Sequence, residues 1–85
     1  MLADRPKSIE RLAEYAAQIG APVKIEPTNQ GYRLLVDARA DRALDEMVVG
    51  YVEEELQLGL ADDVISAPPG WRRLGIIVGY QEVND

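Results

Sequence analysis

The feature that most constrains the fold is an approximate internal repeat, in which the second half of the chain restates the first at an offset of 39 residues. The tripeptide Gly-Tyr-Arg at residues 31–33 returns at this offset as Gly-Trp-Arg at residues 70–72. An internal repeat is stronger evidence for architecture than local propensity. Two copies are too few for a solenoid, so the sequence predicts a single domain over residues 1–85 with approximate two-fold symmetry.

The first copy, residues 8–37, has the pattern of a helix followed by two strands. Apolar residues recur at helical spacing in its first part, with charged side chains between them. Ser8 is the predicted N-cap of this helix and Gly20 its predicted stop. Residues 23–26 and 32–36 alternate as half-buried strands do, and the polar segment between them favours a turn.

The second copy, residues 41–80, repeats this plan. A helix is predicted from about residue 41 to residue 58, and Gly59 ends it. Residues 63–67 are predicted to form a short strand, and a tight proline-glycine turn leads to a longer strand over residues 71–80.

These elements predict an α+β fold. Two αββ pseudo-repeats form a four-stranded antiparallel sheet, with both helices on one face to cover its apolar side. The tail, residues 81–85, is predicted to fray.

The other face of this sheet has no predicted cover. Strand alternation assigns Leu35 and Ile77 to it, with Ile65 if the third strand follows the same parity. An apolar surface of this kind often marks an interface, and two such faces can meet in a homodimer. The alternative is a register shift or bulge that turns some of these residues inward.

Missing residue types narrow the chemistry. The chain has no His and no Cys, which removes the usual general base, thiolate catalysis and the commonest metal ligands. No nucleotide-binding or metal-binding motif is found. We therefore expect a protein that is not an enzyme and that has no metal or other cofactor.

Acidic residues outnumber basic ones by 15 to 9, giving a net charge of −6. This balance argues against nucleic-acid binding, which depends on neutralising phosphates, and suits either solubility or a partner with a basic surface. The acidity lies along the second helix, most densely at its end, and just after it. The carboxylates concerned are Glu46, Glu53, Glu54, Glu55, Asp62 and Asp63.

Glu55 is the unusual member of this group, because it lies within the apolar stripe of the second helix where the first copy has Ala16. It either reaches an arginine (Arg33, Arg72 or Arg73), has a raised pKa, or lies in solvent where the last turn leaves the core. Trp71 occupies the position equivalent to Tyr32 and packs at the core edge or contacts a partner.

The leading hypothesis is a small, acidic, non-catalytic binding protein that regulates or inhibits a larger macromolecule, of the immunity-protein, antitoxin or phage-inhibitor type. The alternatives are a dimeric α+β barrel that binds an apolar small molecule between its sheets, and an accessory subunit of an enzyme complex. There is neither a long apolar run nor a signal-peptide pattern, so no membrane association is predicted and a cytoplasmic location is expected. The candidate partner-binding residues are Leu35, Glu46, Glu53, Glu54, Glu55, Asp62, Asp63, Trp71 and Ile77.

Overall fold

The structure, a computed structural model, describes residues 6–63 and 65–79. Its elements are α1 (Lys7–Ile19), β1 (Val23–Pro27), β2 (Tyr32–Asp37), α2 (Ala43–Gly50), a π-helical turn (Tyr51–Glu55), β3 (Gly59–Ala61) and β4 (Trp71–Val78). The strands form one antiparallel sheet in the order β1-β2-β4-β3. The predicted α+β class and four-stranded antiparallel sheet are confirmed.

The first helix ends as its sequence predicts but begins differently. Its buried residues Ile9, Leu12 and Ala16 recur at helical spacing, and Gly20 ends it in the left-handed conformation with φ of 75°. Ser8 lies inside the helix, so its predicted role as N-cap is wrong. Pro6 occupies that position, and its carbonyl accepts the first helical hydrogen bonds.

The second helix ends at Glu55, earlier than predicted, and its last turn is wider than an α-helical turn. The amide of Leu56 donates to the carbonyl of Tyr51 at 3.0 Å, five residues back, as in a π-helix. Gln57 then takes a positive φ of 58° and turns the chain. The predicted stop at Gly59 is therefore wrong, and this glycine begins β3.

The predicted third strand over residues 63–67 is also wrong, because β3 lies at Gly59–Ala61. As a result, the connection to β4 is nine residues long, from 62 to 70, and not a tight turn. The helices begin 36 residues apart (7 and 43), as do the first strands (23 and 59), whereas the last strands begin 39 apart (32 and 71). An offset of 39 therefore describes only the last strands. The predicted end of β4 at residue 80 and the frayed tail lie outside the described residues.

One hydrophobic cluster receives buried side chains from both helices and from three strands. Its members are Ile9, Leu12, Ala16, Ala21, Ile25, Leu34, Val48, Val52 and Ile77. We call the sheet side that carries Ile25, Leu34 and Ile77 the core face, and the opposite side the second face.

A β-bulge decides which side chains of β4 reach the core face. Leu34 pairs with Gly75 but Leu35 pairs with Arg73, so Leu74 is passed over. Beyond this point, the side chains of β4 point to the opposite faces from those that strict alternation predicts. Ile77 therefore lies in the core, with 0% exposure. The prediction that Ile77 lies on an open face is therefore wrong, for the reason that the bulge alternative anticipates.

The second face is covered by the chain itself. Arg33 Nε lies 3.0 Å from Asp63 Oδ2, and Arg73 donates a hydrogen bond of 2.7 Å to the carbonyl of Ile65. These contacts hold part of the 62–70 connection against the sheet, and Leu35 is 0% exposed. The predicted exposure of Leu35 on an uncovered apolar face is therefore wrong.

A third arginine, Arg72, ties β4 to the start of α2 and to the segment before it. Arg72 donates to both carboxylate oxygens of Asp45 at 2.7 and 3.0 Å and to the carbonyls of Ala38 and Ala40. The bond to Asp45 raises the pKa of Arg72 above its ordinary value. This arginine therefore fixes the start of α2 against β4.

Candidate functional site

The candidate functional site is an open groove between the two helices, which we call the tyrosine groove. Its volume is about 470 Å³. One of its residues comes from α1, and the others come from α2 and the π-helical turn. They are Tyr15, Glu46, Met47, Gly50, Tyr51, Glu54 and Glu55.

Two stacked tyrosines form its aromatic wall. The rings of Tyr15 and Tyr51 have centroids 4.1 Å apart and an interplanar angle of 9°. Tyr15 projects from α1, and Tyr51 is the first residue of the π-helical turn. Both side chains are half-buried, so each anchors the helix pair and still presents ring edge and hydroxyl to solvent.

The floor and rim of the groove follow from the spacing along α2. Glu46, Gly50 and Glu54 are four residues apart and share one helix face. Because Gly50 has no side chain, and a Cβ there would meet nothing within 4 Å, the space between the two carboxylates stays open. Met47 adds an exposed, flexible apolar side chain.

The charged side chains that line the groove are all carboxylates. Within residues 6–63 and 65–79, none of the three groove carboxylates lies within 4.0 Å of a lysine or arginine nitrogen. Glu54 and Glu55 also lie in the last helical turn, where the helix dipole is negative and disfavours a carboxylate. The groove therefore holds uncompensated negative charge beside an aromatic surface.

The sequence-predicted acidic residues divide into two places. Glu46, Glu54 and Glu55 line the groove, whereas Glu53 is exposed on the same turn without lining it. Glu55 is exposed and reaches none of the arginines considered for it, since Arg33, Arg72 and Arg73 bind other groups.

Asp62 and Asp63 lie away from the groove, beside Arg33, in a separate depression of about 330 Å³. The Asp63 side chain is 1% exposed, and it is close to Arg33 Nε without hydrogen-bond alignment. Its other oxygen accepts the amide hydrogen of Ile65 at 3.0 Å. The partner-binding role of Asp63 stays a prediction, and the contacts of this buried carboxylate are with Arg33 and Ile65 of the same chain.

Trp71 also lies outside the groove. The ammonium of Lys24 is 5.0 Å from the centroid of its ring, and the indole is half-buried at the start of β4. This cation–π contact explains the position of Trp71 at the sheet end without a partner.

Sequence reasoning missed the apolar part of the site. Helical spacing predicts that Met47 and Tyr51 face the core, whereas Met47 is 44% exposed and both residues line the groove. Tyr15 is notable in the sequence only as the counterpart of Glu54 at the offset of 39, and no pattern indicates Gly50. The available signal was the four-residue spacing of Met47 and Tyr51, which places them on neighbouring positions of one helix face. Their meeting with a tyrosine of the other helix depends on helix packing, which the pattern does not specify.

The arrangement is suited to binding organic cations. Tyrosine rings attract ammonium and guanidinium groups, and carboxylates beside them add charge-assisted hydrogen bonds. No group of three or more carboxylates in the described part of the chain is placed to hold a metal ion. The described helices are too short or too polar to cross a membrane.

Comparison of the chain with protein-family models, with characterised proteins and with solved structures finds no match.

Proposed function

We propose that this chain is a non-catalytic binding protein that regulates or inhibits a larger macromolecule by docking a basic segment of it in the tyrosine groove. The observation that carries the proposal is that two stacked tyrosines lie beside three carboxylates that form no ion pair with the described residues. The proposal takes the fold to be two αββ units with both helices on one sheet face. The shared core of Leu12, Val48 and Ile77 supports that placement.

An arginine-bearing protein segment fits the groove better than other cations. A guanidinium is planar, stacks on aromatic rings and binds carboxylates through two parallel hydrogen bonds. Glu54 and Tyr51 are three residues apart on the π-helical turn, so one side chain entering the groove meets both kinds of group. The net charge of −6 assists the approach of such a partner from a distance.

The α+β barrel alternative has less support. It requires an open apolar face on which two sheets enclose a ligand, and the side chain of Leu35 on the second face is already buried. Arg33 and Arg73 hold the 62–70 connection over that face. Accessory-subunit function remains compatible with the groove, since an enzyme complex is one form that the larger macromolecule can take.

The test is a titration of isotope-labelled protein with an acetylated, amidated triarginine peptide, followed by amide chemical shifts. We expect the largest shifts at Tyr15, Gly50 and Tyr51, with affinity that falls steeply as salt is added. Glu54→Gln should weaken binding about two- to threefold, the effect of one exposed charge pair. Tyr15→Ala should weaken it about tenfold, because it removes the aromatic wall.

Glu53→Gln is the matched control, because it removes the same charge from the same turn without touching the groove. Equal effects of Glu53→Gln and Glu54→Gln would show that only overall charge attracts the peptide. Shifts centred on Asp62, with none at Gly50, would place any cation binding elsewhere and defeat the proposal. A photo-reactive methionine analogue at Met47 then identifies the natural partner by cross-linking, which the arginine peptide must suppress.

A further inference from the structure

The edge strand β1 presents unpaired backbone groups on its outer side. Among the strands of residues 6–63 and 65–79 it pairs with β2 alone, in a regular antiparallel register in which Val23 faces Val36 and Pro27 faces Tyr32. The ladder is flanked by hydrogen bonds from Asp37 to the Pro22 carbonyl (2.9 Å) and from Thr28 to the Gly31 carbonyl (2.7 Å).

Hydrogen-bonded and non-hydrogen-bonded pairs alternate along an antiparallel ladder. Pro22 and Thr28 are both hydrogen-bonded to the β2 side, so Lys24 and Glu26 are too. The amide and carbonyl groups of Val23 and Ile25, and the carbonyl of Pro27, therefore point away from the sheet. Pro27 has no amide hydrogen to leave unpaired there.

The side chains along this edge are self-complementary in one register. If two copies of β1 are placed antiparallel with Ile25 opposite its own counterpart, each Lys24 faces a Glu26 and each Val23 faces a Pro27. Opposite charges directly across a ladder stabilise it, and like charges destabilise it. Both charged side chains are accessible, at 44% and 38% exposure.

We propose that β1 is a self-association edge, which pairs antiparallel with β1 of a second copy about a two-fold axis through Ile25. The two Ile25 residues exchange both of their backbone hydrogen bonds, and each Val23 amide donates to a Pro27 carbonyl. The four-stranded sheets then join into one continuous sheet. This interface uses the sheet edge and leaves the second face covered, unlike a homodimer built face to face.

The side of α1 next to β1 leaves room for the β1 strand of a second copy. A depression of about 410 Å³ separates α1 from β1, and small residues of the helix line it, Ala13 and Ala17 among them. Ala17 is exposed, so the second copy meets a shallow surface there. Tyr15 is two residues from each of these alanines, about 200° around the helix axis. The tyrosine groove therefore stays free in the dimer, which presents two of them.

Charge exchange at two positions tests the register. Lys24→Glu places like carboxylates opposite each other, Glu26→Lys places like ammonium groups opposite each other, and each should raise the dimer Kd at least tenfold. The double variant Lys24→Glu/Glu26→Lys should restore the wild-type Kd. A mixture of the two single variants should form a mixed dimer that neither forms alone. Analytical ultracentrifugation from micromolar to millimolar concentration measures each state.

A second pair of variants tests whether the flank of α1 lies at the dimer interface, without changing Lys24 or Glu26. Ala17→Glu inserts a larger, charged side chain into the flank of α1 and should abolish the dimer. Ala43→Glu makes the same change at an exposed position of α2, outside the edge, and should leave the dimer intact. Circular dichroism of each variant checks that the fold is kept.

A wild-type chain that stays monomeric at millimolar concentration overturns the proposal, as does a mixture of the single variants that behaves like its separate components. A dimer that Ala17→Glu leaves unchanged overturns it too. These outcomes are independent of the groove, since the triarginine titration reads a different surface.

Discussion

The sheet contains two antiparallel hairpins, β1–β2 and β3–β4. They differ in the length of the segment that joins their strands. Between β1 and β2 the chain turns in four residues, 28–31, held by three hydrogen bonds of the Thr28 hydroxyl. Between β3 and β4 it takes nine residues, 62–70, and Arg33 and Arg73 hold Asp63 and Ile65 of this segment to the second face. Because β1 and β3 are both edge strands of the described sheet, the difference lies in the joining segment: the first is a short turn, whereas the second is long enough to bring Asp63 and Ile65 onto the second face.

The largest expected effect is a difference in the loss of stability when the two glycines that precede β2 and β4 are replaced by alanine. A Cβ at Gly31 would overlap the carbonyl oxygen of Ile77, whereas a Cβ at Gly70 would meet nothing within 4 Å. We expect Gly31→Ala to lower the free energy of unfolding by about 3 kcal/mol, because backbone atoms of β4 must move. Gly70→Ala should cost about 1 kcal/mol, because only its φ of 87° is strained. Denaturant unfolding of both variants measures the difference, and equal losses would contradict it.

The next largest effect is a difference in the loss of stability when Arg33 is removed from its pair with Asp63 and when Arg72 is removed from its pair with Asp45. Arg33→Met leaves the buried Asp63 carboxylate without a counter-charge and should cost about 2–3 kcal/mol. Arg72→Met should cost less, about 1–2 kcal/mol, because the Asp45 side chain is more exposed and can be hydrated.

Double-mutant cycles sharpen this comparison. Adding Asp63→Asn to Arg33→Met should recover part of the lost stability, with a coupling energy of about 1 kcal/mol or more. The corresponding cycle with Asp45→Asn and Arg72→Met should give a smaller coupling. A larger coupling at Asp45 would mean that the more exposed pair is the stronger one, against the expectation from burial.

A smaller effect on stability is expected for substitutions at the positive-φ residues that follow the two helices. Gly20 and Gln57 both have positive φ, at 75° and 58°, but only the first is a glycine. We expect Gly20→Ala to destabilise the protein by about 1 kcal/mol and Gln57→Gly to stabilise it by a similar or smaller amount. Thermal unfolding should shift in opposite directions for the two variants. A Gln57→Gly variant that loses stability would indicate that the glutamine side chain makes a contact worth more than the strain.

The smallest effect concerns Asp37, at the junction between the halves. Hydrogen bonds from the side chain and amide of Arg39 lower the pKa of Asp37 from 3.8 to about 2. A carboxyl group with a lowered folded-state pKa stabilises the fold above its unfolded value. The contribution of Asp37 should therefore be complete above about pH 4 and lost as the pH falls toward 2.

Titration of the Asp37 carboxyl carbon by NMR measures this pKa directly. In Arg39→Ala the midpoint should rise toward 3.8, because the largest cause of the shift is removed. A midpoint that stays near 2 would mean that the backbone amide of residue 39, which the substitution keeps, and the charge of Arg72 are sufficient to hold the pKa of Asp37 down.

Local patterns in the sequence predict the first half well. The strands β1 and β2 form where the alternating pattern predicts them, and Gly20 ends α1 in the left-handed conformation. These features depend on neighbours in the chain, so local propensity and periodicity are sufficient. The antiparallel four-stranded sheet follows from the same patterns.

The second half departs from its sequence pattern for reasons that are not local. Gln57 takes a conformation that favours glycine, so the helix ends before the glycine that was expected to end it. The bulge at Leu74 depends on the register between β2 and β4, and it moves Ile77 to the core face. The acidic part of the groove was predicted from Glu46, Glu54 and Glu55, but the stacking of Tyr15 on Tyr51 depends on how the helices pack.

The pairing of β2 with β4 has a consequence for the order in which the chain folds. The paired residues are 34 to 45 positions apart in the chain, from Asp37 with Trp71 to Tyr32 with Ile77. Until β4 has been synthesised, β2 can pair only with β1, and the edge of β2 that later binds β4 stays unpaired along Leu34, Leu35 and Val36, which are fully buried in the finished sheet. Long-range closure of this kind is slow, and it leaves an apolar strand open to aggregation meanwhile. Folding of this chain during translation therefore waits for its last strand.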